Sequence, residues 1–186
     1  MANIAKNVSF GKPKATGAVF VAPAGTTLPT NATSSLNVAF KNLGYVSEDG
    51  VVNGVETDTE SINAWGGDLV LSAQTTWGEM FTTNLIETNE DVLKTIYGSG
   101  NVTVDGSGNI TLKVNSTVLP AVVVVFEIVM TGGRVKRIVL GNAQIVDRSG
   151  EITYVDGEAV TYPAVFNAYP DTDGDTHKEY ITALAS

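Results

Sequence analysis

GYVSEDGVVNGVETDTES, residues 44–61, is the stretch whose reading decides the fold. Small, apolar and acidic residues alternate along it in the two-residue period of a β-strand, with bends expected at Gly50 and Gly54. Trp65-Gly66-Gly67-Asp68 follows as a turn, and Leu69 to Ala73 starts a return strand. A two-stranded ribbon with a glycine tip is therefore predicted. Trp77 to Glu87 reads as a further strand, with Phe81, Thr83 and Leu85 on one face.

Glu56, Asp58 and Glu60 occupy alternate positions of the first strand, so they share a face at spacings of about 6 to 7 Å. Like charges that close repel and cannot be buried unpaired, so this face must meet water or something held at a distance. The three belong to a run from Asn42 to Leu93 that holds ten acids and no Lys, Arg or His. The ten do not share one explanation. Glu87, Glu90 and Asp91 sit where a helix begins, and Glu48 and Asp49 precede the bend at Gly50. Of the other five, Glu79 is counted only as a member of the run, and Glu56, Asp58, Glu60 and, at the tip, Asp68 are the acids in need of a function.

The elements around the ribbon are also mostly strand. Residues 1–15 are polar, with Lys6, Lys12 and Lys14, and read as an N-terminal arm. Gly17 to Ala22 is a short apolar strand, and residues 24–43 form a long loop, with a short helical turn expected in Thr30 to Leu43. Thr88 to Gly98 is the single expected helix: Thr88 or Asn89 caps it, Glu90 and Asp91 suit its dipole, and Gly98 stops it. Val92, Leu93, Ile96 and Tyr97 make its apolar stripe. Beyond it, Asn101–Val104 pairs with Ile110–Val114, and Val122–Thr131 turns at Gly132-Gly133 into Arg134–Val146. Ile152–Val155 and Ala159–Ala168 are read as a last hairpin across Asp156-Gly157. Val122 to Val125 is apolar on both faces and is expected to be the most buried strand. The fold class is thus mainly β, a β-sandwich or barrel with one short flanking helix. With no repeat, coiled coil or low-complexity linker, residues 1–186 are read as one domain ending in a C-terminal segment, 170–186.

Composition narrows the function. A net charge of −9 argues against a protein that grips DNA, which needs Lys and Arg to displace counterions. With no Cys, disulfides and thiolate metal sites are excluded. The first fifteen residues lack an apolar signal core, so synthesis and retention in a cytoplasm are expected. Asn115 to Phe126 is the longest uncharged apolar stretch and is too short to span a bilayer. Five Asn-x-Ser/Thr triplets fit a Thr- and Asn-rich β protein better than glycosylation.

Catalytic patterns are weak. His177 is the only histidine, no serine occupies a Gly-x-Ser-x-Gly turn, and nothing singles out a working pair among the carboxylates. No enzymatic activity and no cofactor are expected. Asp171-Thr172-Asp173-Gly174-Asp175 resembles a calcium loop, but Gly174 comes one ligand early and Glu179 is too near. It is read as a surface turn whose stability calcium leaves unchanged. Arg134, Lys136 and Arg137, with Arg148 nearby, form a basic cluster that suits an acidic surface on another copy better than DNA. Trp65, with Gly66 and Gly67, either folds back over its own hairpin or anchors an interface. Trp77 is assigned to the core.

Several segments carry a family resemblance in order. They are GKPKATGAVFVAP from Gly11 with TLPT from Thr27, FKNLGYVSEDG from Phe40, AWGG from Ala64 and IETNEDVL from Ile86. Together, over Gly11 to Ala183, the chain resembles the major tail proteins of long-tailed, non-contractile phages of Gram-positive hosts. No further immunoglobulin-like domain, and so no surface decoration by such a module, is expected.

The resemblance implies a structural virion protein that forms hexameric rings stacked into a tail tube. Two hairpin ribbons per subunit would join edge to edge into an inner barrel. Glu56, Asp58, Glu60 and Asp68 would then line a DNA channel. Trp65, Gly66, Gly67, Arg134, Lys136 and Arg137 are the candidate subunit or ring contacts. The arm, the long loop and the C-terminal segment would bridge rings. The implied partners are further copies of the chain, the tape measure, tail terminator and tail-tip proteins, and passing DNA, with no membrane. Two rivals are a tube protein of a contractile secretion or pyocin-like machine and a carbohydrate- or receptor-binding β-sandwich.

Overall fold

The computed structural model describes residues 3–146 and 150–183. Its strands are β1 (Gly11–Pro13), β2 (Val19–Pro23), β3 (Lys41–Asn42), β4 (Val46–Asn63), β5 (Leu69–Leu85), β6 (Val102–Val104), β7 (Ile110–Leu112), β8 (Val122–Met130), β9 (Val135–Gln144), β10 (Tyr162–Ala168) and β11 (Lys178–Ile181). The helix α1 is Glu90–Tyr97. Nine strands make one antiparallel sheet along the path β3-β2-β8-β9-β10-β5-β4, with β1 added to β8 and β11 to β9; β6 and β7 form a separate pair.

That path folds back on itself. Three inter-strand steps separate β8 from β5, roughly 14 Å in a flat sheet. Yet Phe126 of β8 and Phe81 of β5 stack with ring centroids 5.4 Å apart. Phe166 of β10 meets Phe126 edge-on at 6.2 Å. The corner lies between β9 and β10, which share only the pairs Gln144–Asn167 and Ala143–Ala168. Two layers therefore face each other across an aromatic core, as in a sandwich whose strands change sheet at a bend. Val123, Val124 and Val125 are buried, in keeping with the apolar run of β8.

The helix closes one side of this core. Asn89 Oδ1 accepts the Val92 N–H at 2.9 Å, and Glu90 and Asp91 occupy the first turn. Val92, Leu93 and Ile96 are buried against the core cluster, and Gly98, at φ 93°, ends the helix.

Several expectations are corrected. The return strand and the strand after it are one 17-residue strand, β5, carried past Thr75 by a register shift between Asp58 and Thr59. The arm's docking to the sheet is not a correction: its residues 11–13 pair with β8. The long loop contains no helix but has a hydrogen-bonded turn, in which the Phe40 N–H donates to the Asn37 carbonyl at 3.0 Å, and the two-residue β3 follows directly. Residues 152–155 form no strand: Ile152 and Val160 pack on the core, while Tyr154 and Val155 face solvent. Pro163 in β10 also removes one N–H that a further strand could have used. Trp77 is not a core residue and stands 56% exposed. Among the described residues β4–β5 is a long hairpin that outruns the sheet, and β6–β7 is a short hairpin outside it.

Candidate functional site

The ribbon of β4 and β5 is the part of the molecule its own core does not explain. Pairing runs from Val51–Thr83 out to Asn63–Leu69. The neighbouring strand β10 covers β5 only from Glu79 to Leu85, and β4 ends the sheet path. Among the described residues, therefore, no strand pairs with either outer edge of the ribbon from Leu69 to Gly78. Its tip is tight: the Ala64 N–H donates to the Asp68 carbonyl at 2.8 Å, and the Gly67 N–H to the Ala64 carbonyl at 3.0 Å. Gly66 and Gly67 have φ of 122° and 98°, where a side chain would be strained. Trp65 stands wholly exposed on this tip, so it does not fold back over the hairpin.

The two faces of the ribbon differ in chemistry. Phe81 and Thr83 point into the core, and the same face continues outward through Glu79, Trp77 and their opposite residues Asn53, Val55 and Thr57. Glu56, Asp58 and Glu60 lie on the other face, all exposed, opposite Gly78, Thr76 and Ala73. The alternation read in the sequence thus becomes an acidic strip turned away from the core. Asp68 lies in the tip turn beyond the strip.

At the ribbon's root a buried carboxylate ties it to the C-terminal segment. Glu79 is 4% exposed. Its Oε1 accepts from Asn53 Nδ2 at 2.8 Å, and its Oε2 accepts from Thr176 Oγ1 and meets His177 Nδ1 at 3.0 Å. Burial pushes this carboxyl up, but hydrogen bonds from Thr176, Asn53 and His177 outweigh it and hold Glu79 below its ordinary value. In the sequence Glu79 is only one acid of the run. The signal was present, because Glu79 continues the Phe81, Thr83, Leu85 period onto the core face, where a carboxylate requires donors.

The basic cluster does not form one surface. Arg137 is 1% exposed; its Nε donates to Glu127 Oε1 at 2.9 Å, and its Nη1 donates to the Asn31 carbonyl at 2.7 Å and to Ser34 Oγ at 3.1 Å. Lys14 of the arm completes the pair, with its Nζ 2.6 Å from Glu127 Oε2. Lys136, on the other face of β9, pairs with Glu179 at 2.6 Å, and Arg134 Nε donates to the Thr182 carbonyl at 3.2 Å. The expectation that Arg137 meets another copy is corrected: it fastens the arm and the long loop to the sheet. Arg148 lies outside the described residues.

Asp171, Asp173 and Asp175 do converge. Lys178 Nζ sits among them at 3.2, 2.7 and 3.5 Å, supplying the positive charge that three carboxylates need. The Asp173 backbone N–H, with help from Lys178, holds Asp171 below the usual carboxylate range, and the carboxylates push Lys178 up. No described helix is long and apolar enough to cross a membrane.

A search of curated proteins returns no match. A family model described as phage tail tube protein matches residues 12–183, which span the ribbon, the sandwich, the helix and the C-terminal strand. This mainly-β chain, whose ribbon outruns its own sheet, belongs to the phage tail tube protein family and is a structural component of the virion tail.

Proposed function

We propose that the chain acts as a single domain that closes into rings, hexameric in the family reading, and that stacked rings form a tube through which DNA passes. The observation that carries this is the ribbon with two free edges. An isolated two-stranded ribbon is marginal in water, and unpaired edges invite another strand. Pairing β5 of one copy with β4 of the next satisfies both edges, and going round a ring it leaves none open. Ring stacking is then head to tail, which gives a filament.

The same closure sorts the ribbon's faces. The face that continues the core, with Val55 and Trp77, turns toward protein, and the strip of Glu56, Asp58 and Glu60 turns to the bore, with Asp68 near its mouth. Duplex DNA carries one charge per roughly 1.7 Å, and a like-charged wall acts over about 8 to 10 Å at physiological salt. The genome then slides without adhering. The arm, residues 24–43 and the C-terminal segment bridge successive rings, and the tape measure, terminator and tail-tip proteins meet the tube along its bore and at its ends. The protein is made in the host cytoplasm and ends in the virion of a long-tailed, non-contractile phage.

The test replaces Glu56, Asp58 and Glu60 together with Lys. Phage carrying the variant should still build tubes by negative-stain microscopy but eject DNA slowly, more so at low salt. Normal ejection from normally built tails rejects the channel assignment. A wild-type protein that never forms rings or tubes rejects the assembly itself.

A further inference from the structure

The ribbon's two edges differ in charge and in regularity. β4 carries Glu56, Asp58 and Glu60 on its outer part and no base anywhere, whereas β5 from Leu69 to Gly78 has no charged residue. β5 is also the irregular strand. Its pairs Leu69–Asn63, Leu71–Ile62, Gln74–Thr59 and Thr76–Asp58 leave Val70 and Thr75 without an opposite residue, while β4 advances one residue at a time from Val51 to Asn63. An extra residue of this kind interrupts the ladder and raises the local twist. At Thr75 the Gln74 side-chain amide donates to the Thr76 carbonyl at 3.2 Å, spanning the bulge. Both bulges fall on the stretch of β5 that β10 leaves uncovered.

We propose that the two edges are built to refuse copies of themselves and to accept each other. Glu56, Asp58 and Glu60 bar β4 from a second β4, and the extra residues Val70 and Thr75 bar β5 from a second β5. The proposal rests on the ring reading, in which β5 of one copy pairs with β4 of the next, and it names the residues that enforce that choice.

An open edge pairs most simply with the same edge of a second copy across a two-fold axis, which closes a dimer and ends growth. For β4 such pairing is antiparallel and keeps like faces together. Centred on Asp58, it sets Asp58 against Asp58 and Glu56 against Glu60 on either side, with Cβ atoms about 5 Å apart. Those contacts lie well inside the screening length of about 8 to 10 Å. In the mixed pairing each β4 has a β5 on both sides. The acid strips then stand two strand spacings apart, roughly 9.5 Å, with uncharged side chains between them.

Two β5 strands fail on geometry. Their two-fold pairing brings two extra residues from each strand into one ladder, and between the bulges only Leu71 to Gln74 is regular. β4 already pairs across both bulges within the subunit, so the same strand of the next copy can follow them. Direction agrees as well. β4 and β10 both run antiparallel to β5, and rotation about a ring axis preserves that sense. The next copy's β4 therefore enters the lane that β10 vacates beyond Glu79.

With no cysteine in the chain, single cysteines report each pairing. A disulfide needs Cα atoms within about 7 Å, closer than second-nearest strands lie. One set of preparations carries Thr57→Cys, Thr59→Cys or Ser61→Cys on β4, and another carries Ser72→Cys or Gln74→Cys on β5, all on the face opposite the strip. Mixed β4 and β5 variants, oxidised after assembly, are expected to link, and mixtures of β4 variants alone to give only background. Adding Glu56→Gln, Asp58→Asn and Glu60→Gln should raise β4–β4 links about tenfold or more, because the opposed like charges are relieved. Changing the three to Lys keeps like charge on the edge and should leave β4–β4 links at background, which separates this exclusion from any role in the bore. Deleting Val70 and Thr75 straightens β5 without shifting its other pairs and should admit β5–β5 links. The strip variants alter only exposed side chains, so they decide the charge half even if the deletion fails to fold. Abundant β4–β4 links without neutralisation, or none after it in a folded protein, overturn the charge half. A folded deletion variant without β5–β5 links overturns the bulge half. If mixed links and tubes are both missing, the ring reading falls, while β4–β4 links that appear on neutralisation still uphold the exclusion.

Discussion

His177 Nδ1 lies 3.0 Å from Glu79 Oε2, joining residues 98 positions apart at the point where the ribbon leaves the sandwich. His177 also sits edge-on to Phe81, with ring centroids 5.3 Å apart, so the contact is anchored in the core. Thr176 and Asn53 complete the set around the same carboxylate. One acid thus couples β4, β5 and the C-terminal segment, and it fixes the ribbon's direction relative to the sandwich.

Replacing Glu79 with Ala strands donors from Asn53, Thr176 and His177. Each unsatisfied buried group costs about 1 to 3 kcal/mol, less where water enters. Glu79→Ala should lower the melting temperature clearly and speed hydrogen exchange in residues 176–181. Glu79→Gln, which keeps the shape and one acceptor, should cost less. Unchanged exchange in that segment would show that the coupling does not exist.

The pH dependence follows from the same group. Glu79 has a folded-state pKa below its unfolded value, so the folded protein favours the charged form. Its contribution is present above the ordinary carboxylate pKa and is lost as pH falls through the depressed folded value. Urea unfolding of wild type and Glu79→Gln should therefore differ most near neutrality, and the gap should close in acid. A gap independent of pH from neutral to strongly acidic conditions would remove Glu79 from the acid response.

Arg137 offers a sharper stability test. Removing one member of a buried ion pair costs about 3 to 5 kcal/mol, because the partner stays buried and charged. Arg137→Ala should approach that loss, and it should also loosen residues 31–34, which accept from the guanidinium. Lys14, one-third exposed, should matter far less. The double change Glu127→Leu with Arg137→Met should recover much of the stability while leaving the loop loose. A double variant no more stable than Arg137→Ala would contradict the uncompensated-charge argument.

Much of this was legible because local chemistry and tertiary context agree. The glycine tip at Gly66-Gly67, the Asn89 cap and the apolar run of β8 each follow from rules that act within a few residues. The tie of Glu79 to His177, 98 positions away, was not legible, nor was that of Arg137 to Asn31, 106 positions away, because no local pattern links them. The Arg137–Glu127 pair lies within the β8–β9 hairpin, but a register is needed to see it. The acidic strip had a legible alternation, but that it lies on the face turned away from the core emerges only from the register with Phe81. Trp77 failed for a related reason. A large aromatic inside a strand normally meets its own sheet, but here that face runs beyond the residues that could cover it.

Trp77 separates burial in the subunit from burial in an assembly. A core Trp truncated to a small residue costs about 3 to 5 kcal/mol. At 56% exposure, on the ribbon stretch where β10 no longer covers β5, Trp77 should contribute much less to the isolated subunit. Trp77→Ser is therefore expected to leave the monomer's urea midpoint nearly unchanged while weakening self-association, read by sedimentation and by tube yield. The ring reading requires both halves. A large loss of monomer stability would return Trp77 to the core, and a stable monomer that assembles as well as wild type would show that this face of the ribbon stays in water.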